Sequence, residues 1–268
     1  MKKIFSVILI LSIVITFTLG LSIQANACSS DVTHEDVLLF IERIKEVYGN
    51  GYGEETMELN NIKDAAVLCG LSSASDEYGA IFIGKLLDRP GYIVTMGGTE
   101  PFNSDENVGI KEDILSSFNQ SNEYKENTIN AILSTVPSGE DIYIYGYSLG
   151  GMVMQQVLTD KSIQKNYNIC TAVAFGSPVT ALLRQRIVFI EDVSDVVPSL
   201  SVGSMLLPRL VRRYDTHIVR DGNYKTFIGA HALSYVDSNI WDDIDALGHI
   251  GENETLIIDM KNVVTFKG

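Results

Sequence analysis

From Tyr78 onward, short apolar runs alternate along the chain with longer segments of mixed polarity. A short apolar run bounded by turn residues is typical of a buried strand, whereas apolar positions three and four residues apart are typical of an amphipathic helix. The predicted strands are Ala80–Leu86, Tyr92–Met96, Ile142–Tyr145, Thr171–Phe175, Arg186–Ile190, His217–Arg220 and Leu256–Met260. The predicted helices are Asp36–Val47, Ile62–Cys69, Ile110–Leu133 and Met152–Leu158. Strands that alternate with helices predict an α/β fold, a mainly parallel sheet with helices on both faces.

The first 27 residues have the composition of a signal peptide. Two lysines precede an apolar stretch that carries no charge up to Ser30, and Ala25-Asn26-Ala27 is a small-x-small cleavage site. Cleavage there leaves residues 28–268 as one α/β domain that is exported, either secreted or attached to the cell envelope. Two alternatives stay open, namely an uncleaved segment that anchors the chain in a membrane and a lipid attached to Cys28.

The charge balance limits the partners of the chain. Its 34 acidic and 20 basic residues give a formal net charge of −14, which repels nucleic acid and anionic lipid. We therefore expect no nucleic-acid binding, and membrane contact only through the N-terminal segment. Three cysteines are too few for a disulfide scaffold. A bridge between Cys69 and Cys170 stays open, although the apolar run around Cys170 favours a buried thiol.

Parallel sheets bind ligands beyond the carboxyl ends of their strands, so candidate chemistry is sought there. Gly146-Tyr147-Ser148-Leu149-Gly150 directly follows the predicted strand Ile142–Tyr145 and precedes a helix. A G-x-S-x-G segment between strand and helix is typical of a nucleophile elbow, whose sharp turn leaves no room for side chains at the two glycines. The alternative is a Gly-rich helix start that Ser148 merely caps.

A serine nucleophile needs a histidine base, which a carboxylate orients. In a strand-turn-helix elbow of this kind the chain order is serine, acid, histidine, which excludes His34. His231, which follows a glycine-containing loop, is the favoured base. His249, in a Gly-flanked loop, and His217, inside a predicted strand, stay open as alternatives.

Three carboxylates follow the predicted strand Arg186–Ile190, namely Glu191, Asp192 and Asp195. Asp195 is favoured as the orienting acid because Val196-Val197-Pro198 directly follows it and can hold its loop against the sheet. The other two are expected to be solvated loop carboxylates.

Five separated segments together resemble the class 3 (fungal-type) lipases and their bacterial relatives. They are Tyr92–Glu100, Ile142–Gly151, Ala174–Pro178, Asp195–Pro198, and His231 with Tyr235. The resemblance implies an α/β-hydrolase fold with Ser148 as nucleophile, Asp195 as acid and His231 as base. It further implies an oxyanion hole formed by the backbone N–H groups of Thr99 and Leu149. Gly97 departs from the family, which usually has an arginine there that braces the oxyanion loop.

The resemblance implies a secreted serine hydrolase that cleaves carboxylic esters of acyl or lipid substrates. We expect no metal and no organic cofactor, since no residues have metal-ligand spacing. Acyl transfer, amide or thioester cleavage by the same residues, and a binding protein without catalysis stay open. The segment Pro101–Gly109, where the family often has a lid, is short and polar, and the apolar Leu200–Val211 lines either an acyl pocket or the core.

Overall fold

The computed structural model describes residues 55–74, 80–98, 110–180, 186–200 and 216–267. Its strands are β1 Thr56–Leu59, β2 Ile81–Lys85, β3 Tyr92–Met96, β4 Asp141–Tyr147, β5 Asn168–Phe175, β6 Val188–Asp192, β7 Thr216–Arg220, β8 Leu256–Asp259 and β9 Val264–Phe266. Its α-helices are α1 Ile62–Ala74, α2 Ile110–Thr135, α3 Leu149–Thr159, α4 Lys161–Asn166, α5 Phe227–His231 and α6 Ser238–Trp241. The predicted signal peptide and the predicted helix Asp36–Val47 lie outside the described residues.

Seven of these strands form one sheet in the order β7-β6-β5-β4-β3-β2-β9. The five strands from β3 to β7 run parallel to one another, while β2 is antiparallel to both β3 and β9. A separate antiparallel pair joins β1 to β8. The predicted α/β class and the mainly parallel sheet are therefore confirmed.

The sheet is buried on both faces because successive side chains of a strand point to opposite sides. On β4, Ile142 and Ile144 pack into the apolar layer that includes α3 and part of α2. Tyr143 and Tyr145 point to the other layer, which contains α1 and Trp241. Burial on both faces explains why the parallel strands are continuous apolar runs rather than alternating ones.

All seven predicted strands and three of the predicted helices are present. The strand Tyr92–Met96 has the predicted ends, whereas the ends of the others are shifted; the strand predicted from Arg186, for example, begins at Val188. The short strands β1 and β9 and the short helices α4, α5 and α6 were not predicted. None of the helices in the described ranges is long and apolar enough to cross a membrane.

The prediction of a buried thiol at Cys170 is wrong. The β4–β5 ladder pairs Ile142 with Ile169 and then Tyr143 with Thr171, so Cys170 is the unpaired residue of a β-bulge. Its side chain is exposed, whereas Cys69 is buried on α1. Neither cysteine is in a disulfide, so the possible bridge between them is not formed. Burial raises the pKa of the Cys69 thiol well above its usual value.

Candidate active site

Ser148 lies in the sharp turn between β4 and α3, with φ 53° and ψ −117°. A positive φ is unfavourable for any residue with a side chain, so the surrounding structure must hold this conformation. The Ser148 N–H donates to the Phe175 carbonyl at 2.9 Å, and the Ser148 carbonyl accepts from the Gly151 N–H at 3.1 Å. The Ser148 side chain makes no capping hydrogen bond to α3, so the alternative of a simple helix cap is not supported.

The two glycines of the motif allow this turn, as predicted. A Cβ on Gly146 would lie 2.5 Å from the Gly150 carbonyl oxygen. A Cβ on Gly150 would lie 2.3 Å from the carbonyl oxygen of Met96 and 2.4 Å from that of Gly97. The start of α3 therefore packs directly on the backbone at the end of β3, and any side chain there would push the two segments apart.

We expect Gly150→Ala to destabilise the fold by about 1–3 kcal/mol, as overpacking does, and to lower the reactivity of Ser148. The added methyl group meets two backbone carbonyls, which cannot rotate away as a side chain can. Urea unfolding and the labelling rate with a fluorophosphonate test this prediction. Gly139→Ala is the control, because a Cβ on Gly139 would meet no atom within 4 Å, so only its positive φ (95°) opposes the substitution. Gly139→Ala should change the free energy of unfolding but not the labelling rate. If Gly150→Ala kept both the stability and the labelling rate of the unmodified protein, the packing argument would be contradicted.

Three of the predicted site residues form one hydrogen-bonded chain. His231 Nε2 lies 2.9 Å from Ser148 Oγ, and His231 Nδ1 lies 2.8 Å from Asp195 Oδ2. Ser148 follows β4, Asp195 lies in the loop after β6, and His231 is the last residue of α5. All three residues are buried. An Nδ1–H that donates to the carboxylate makes Nε2 the acceptor for the serine proton.

The Asp195 carboxylate is held by two donors besides the imidazole. The Tyr235 hydroxyl donates to Oδ2 at 2.7 Å, and the Val197 N–H donates to Oδ1 at 2.9 Å. Burial and the negative charge of Asp195 raise the pKa of Tyr235 well above its usual value, so its hydroxyl keeps the donated proton. A buried carboxylate with three hydrogen bonds is a fixed acceptor for one tautomer of His231.

Glycine is also required at Gly176, directly after β5. This residue has φ 52°, and a Cβ there would lie 2.8 Å from Asp195 Oδ2 and 2.9 Å from the Tyr235 ring. The end of β5 therefore closes the pocket around the carboxylate.

The other two candidate acids, Glu191 and Asp192, are the last two residues of β6 and have separate roles. Asp192 accepts from the Ser194 N–H at 2.7 Å and from the Gly222 N–H at 2.9 Å, and so joins its loop to the segment after β7. Burial raises the pKa of the Asp192 carboxyl. Glu191 lies 2.8 Å from His217 Nδ1. The expectation that both are solvated is wrong for Asp192, which is only 2% exposed.

The remaining histidines lie away from the Ser148 chain or outside the described residues. His217 pairs with Glu191 and stacks on Phe189 with ring centroids 4.9 Å apart. His249 has a side chain that is 46% exposed and lies 3.4 Å from Asp245. His34 falls outside the described ranges.

One group in the described ranges has the composition of a metal site: the ligand atoms of Asp245, His249 and Glu252 all lie within 4.8 Å of one another. The Asp245 carboxylate already accepts backbone N–H groups, from Leu247 at 2.9 Å and from His249 at 2.8 Å. The Asp245 carboxylate therefore holds the backbone of the loop that follows it.

Two residues of the site region were not predicted from the sequence. The Tyr147 ring stacks on the His231 imidazole, with centroids 5.3 Å apart, and its hydroxyl donates to the His231 carbonyl. Gln155 on α3 donates to the carbonyls of Gly151 at 3.0 Å and Pro178 at 2.9 Å. Tyr147 thus contacts the candidate base, and Gln155 joins the segment after β5 to the helix that follows Ser148. Neither contact has a sequence signal, because the hydrogen-bond partners are backbone atoms.

Of the predicted oxyanion donors, Leu149 is described and Thr99 is not. Leu149 is the first residue of α3, so its N–H has no acceptor within the helix and lies at the positive end of the helix dipole. Gly98 passes close to Ser148, since a Cβ there would lie 3.0 Å from Ser148 Cβ. The segments Pro101–Gly109 and 201–211 lie outside the described residues.

Comparisons of this chain with protein-family models, with curated proteins and with solved structures find no match. Its function must therefore be argued from the residues and the geometry above.

Proposed function

We propose that this chain has the α/β-hydrolase fold and is an exported serine hydrolase that cleaves carboxylic esters of acyl or lipid substrates. The observation that carries the proposal is the buried hydrogen-bonded chain from Ser148 through His231 to Asp195, with distances of 2.9 and 2.8 Å. A serine hydroxyl is a weak nucleophile unless a neighbouring base accepts its proton, and this arrangement supplies that base and its orienting acid.

The position of the serine within the fold supports the same conclusion. β4 lies in the middle of the sheet, with three strands on either side, and the serine follows its carboxyl end on a strained turn. Strand, sharp turn and helix in this order lift a hydroxyl above the sheet edge, where α/β proteins bind their ligands. The order Ser148, Asp195, His231 along the chain agrees with the α/β-hydrolase order.

In the first half of the proposed reaction, Ser148 Oγ attacks the carbonyl carbon of the ester while His231 Nε2 takes the hydroxyl proton. The carbonyl oxygen becomes an oxyanion that accepts from the Leu149 N–H and, in our proposal, from the Thr99 N–H. One such donor contributes about 3 kcal/mol to transition-state stabilisation. The C–O bond of the leaving alcohol then breaks, its oxygen takes the proton from His231, and the acyl group stays on Ser148 as an ester.

In the second half, water replaces the alcohol. His231 takes one proton from the water as its oxygen attacks the acyl carbon, and the same oxyanion donors stabilise the second tetrahedral intermediate. Its collapse breaks the bond to Ser148 Oγ, which regains a proton from His231, and the carboxylic acid leaves. The Asp195 carboxylate stabilises the imidazolium in both halves without taking its proton.

A fluorophosphonate probe tests the proposal, because it reacts covalently with activated serines. We expect the folded protein to be labelled and Ser148→Ala to show no labelling. A folded protein that is not labelled would contradict the proposal and favour a binding function. Hydrolysis of p-nitrophenyl esters of increasing acyl length, compared with an anilide and a thioester of the same acyl group, then tests the ester preference. A higher kcat/KM for the anilide or thioester would overturn that preference.

A further inference from the structure

The backbone directly after β3 passes close to the candidate nucleophile, and its two residues there, both glycines, have no side chains that could fix its position. Gly97 and Gly98 follow Met96, the last residue of β3. A Cβ on Gly150 would lie 2.4 Å from the Gly97 carbonyl oxygen, and a Cβ on Gly98 would lie 3.0 Å from Ser148 Cβ. A displacement of Gly97 therefore changes the distance between this segment and Ser148.

The carbonyl of Gly97 is also contacted by Tyr124 of α2. The Tyr124 hydroxyl lies 3.1 Å from the Gly97 carbonyl oxygen and 2.9 Å from that of Ala80, which directly precedes β2. The Gly97 N–H in turn donates to the Ala80 carbonyl at 2.8 Å. One phenol thus joins the end of β3, the start of β2 and the helix that covers them.

The Tyr124 hydroxyl is well suited to this contact. The residue is 6% exposed, so water does not compete for its proton. Burial raises the pKa of Tyr124 well above its usual value, so the hydroxyl remains a donor. Its ring belongs to the apolar layer that includes Met96 and Leu149, which flank the two segments that meet at the nucleophile.

We propose that Tyr124 is a positioning residue for catalysis: by holding the Gly97 carbonyl, it sets how closely the Gly97-Gly98 segment passes Ser148. This inference rests on the proposed function, since it requires a reaction at Ser148. Tyr124 does not touch the reacting atoms and acts through the backbone of Gly97.

The test is Tyr124→Phe, which keeps the ring in the core and removes only the hydroxyl. Because a displacement of the order of 1 Å near the reacting atoms costs about 100-fold in rate, we expect kcat for ester hydrolysis to fall about 10- to 100-fold. KM should stay within about twofold, since an interaction made only in the transition state lowers kcat and kcat/KM equally. A boronic acid that mimics the tetrahedral intermediate should lose affinity by a factor similar to that of kcat.

Tyr167→Phe is the matched control. The Tyr167 hydroxyl is also buried and donates to a backbone carbonyl, that of Val136 directly after α2, at 2.8 Å. Tyr167 precedes the amino end of β5, the end of the parallel strands opposite to Ser148. Both variants should lose similar stability in urea unfolding, and only Tyr124→Phe should lose kcat. If Tyr124→Phe unfolds under assay conditions, kcat of both variants is measured in sucrose, which stabilises the folded state without restoring the hydroxyl, and kcat should still fall only in Tyr124→Phe.

The outcomes separate this inference from the function on which it rests. No turnover and no probe labelling by the unmodified protein would overturn both. An active unmodified protein with an unchanged kcat in Tyr124→Phe, or with an equal loss in Tyr167→Phe, would overturn the role of Tyr124 alone.

Discussion

Replacing His231 by alanine is expected to lower kcat for ester hydrolysis by about a million-fold, the loss that removal of the base causes in serine hydrolases with a triad. Without the imidazole, nothing accepts the Ser148 proton, because His231 Nε2 is the group that lies 2.9 Å from Ser148 Oγ. Steady-state kinetics with a p-nitrophenyl ester measures the effect. Adding Ser148→Ala to the same chain should cause almost no further loss, since the two residues act as one unit.

Two other histidines provide controls for this prediction. His217→Ala removes a ring of the edge strand β7 that pairs with Glu191. His249→Ala removes a side chain that is 46% exposed. Both variants should keep kcat within a few-fold of the unmodified protein. A large loss in His249→Ala with an active His231→Ala would show that the base assignment is wrong.

Asp195→Asn is expected to lower kcat by about 10,000-fold, as the same change does in a serine protease triad. The Val197 N–H donates to Oδ1, while Tyr235 and His231 both donate to Oδ2, so each oxygen position requires an acceptor. An asparagine must place its NH2 group at one of them. The Tyr235 hydroxyl can rotate away more easily than the Val197 backbone, so the NH2 group will face His231 Nδ1 and select the tautomer that protonates Nε2.

The measurement is again kcat, together with the rate of fluorophosphonate labelling, and both should fall. Asp192→Asn and Glu191→Gln are the controls, since both residues lie at the end of β6 and their carboxylates bind other groups: Asp192 accepts from the Ser194 and Gly222 N–H groups, and Glu191 pairs with His217. Their effect should be on stability. If Asp192→Asn abolished turnover and Asp195→Asn did not, the acid would be Asp192 instead.

The sequence predicts the buried strands well and misses two short strands, β1 and β9, for a physical reason. β4 and β5 are buried between two layers of helices, so their side chains form apolar runs that are visible in the sequence. β9 is only three residues long with partly exposed side chains, and β1 alternates between exposed and buried positions over four residues. Such short segments depend on their partners, β2 and β8, rather than on local composition.

The candidate site was predictable where a local rule applies. Ser148 is recognisable because its strained turn requires glycines at fixed positions beside it. The chain order of serine, acid and histidine then reduces the number of candidate acids and bases. Tyr124 and Gln155 were not predictable, because they bind backbone carbonyls that any sequence provides. Cys170 was wrongly expected to be buried, because a β-bulge changes which residues of β5 face the core. The neighbouring residues give no sequence signal for this bulge.

The long separation of the three site residues along the chain makes Ser148 reactivity a reporter of folding. His231 is 83 residues from Ser148 and 36 from Asp195. Contacts of such long range form late, because their loop-closure entropy is lost before they stabilise the chain. During refolding from urea, the onset of fluorophosphonate labelling should therefore lag behind the recovery of helical circular dichroism and mark the moment when β4, the β6 loop and α5 come together.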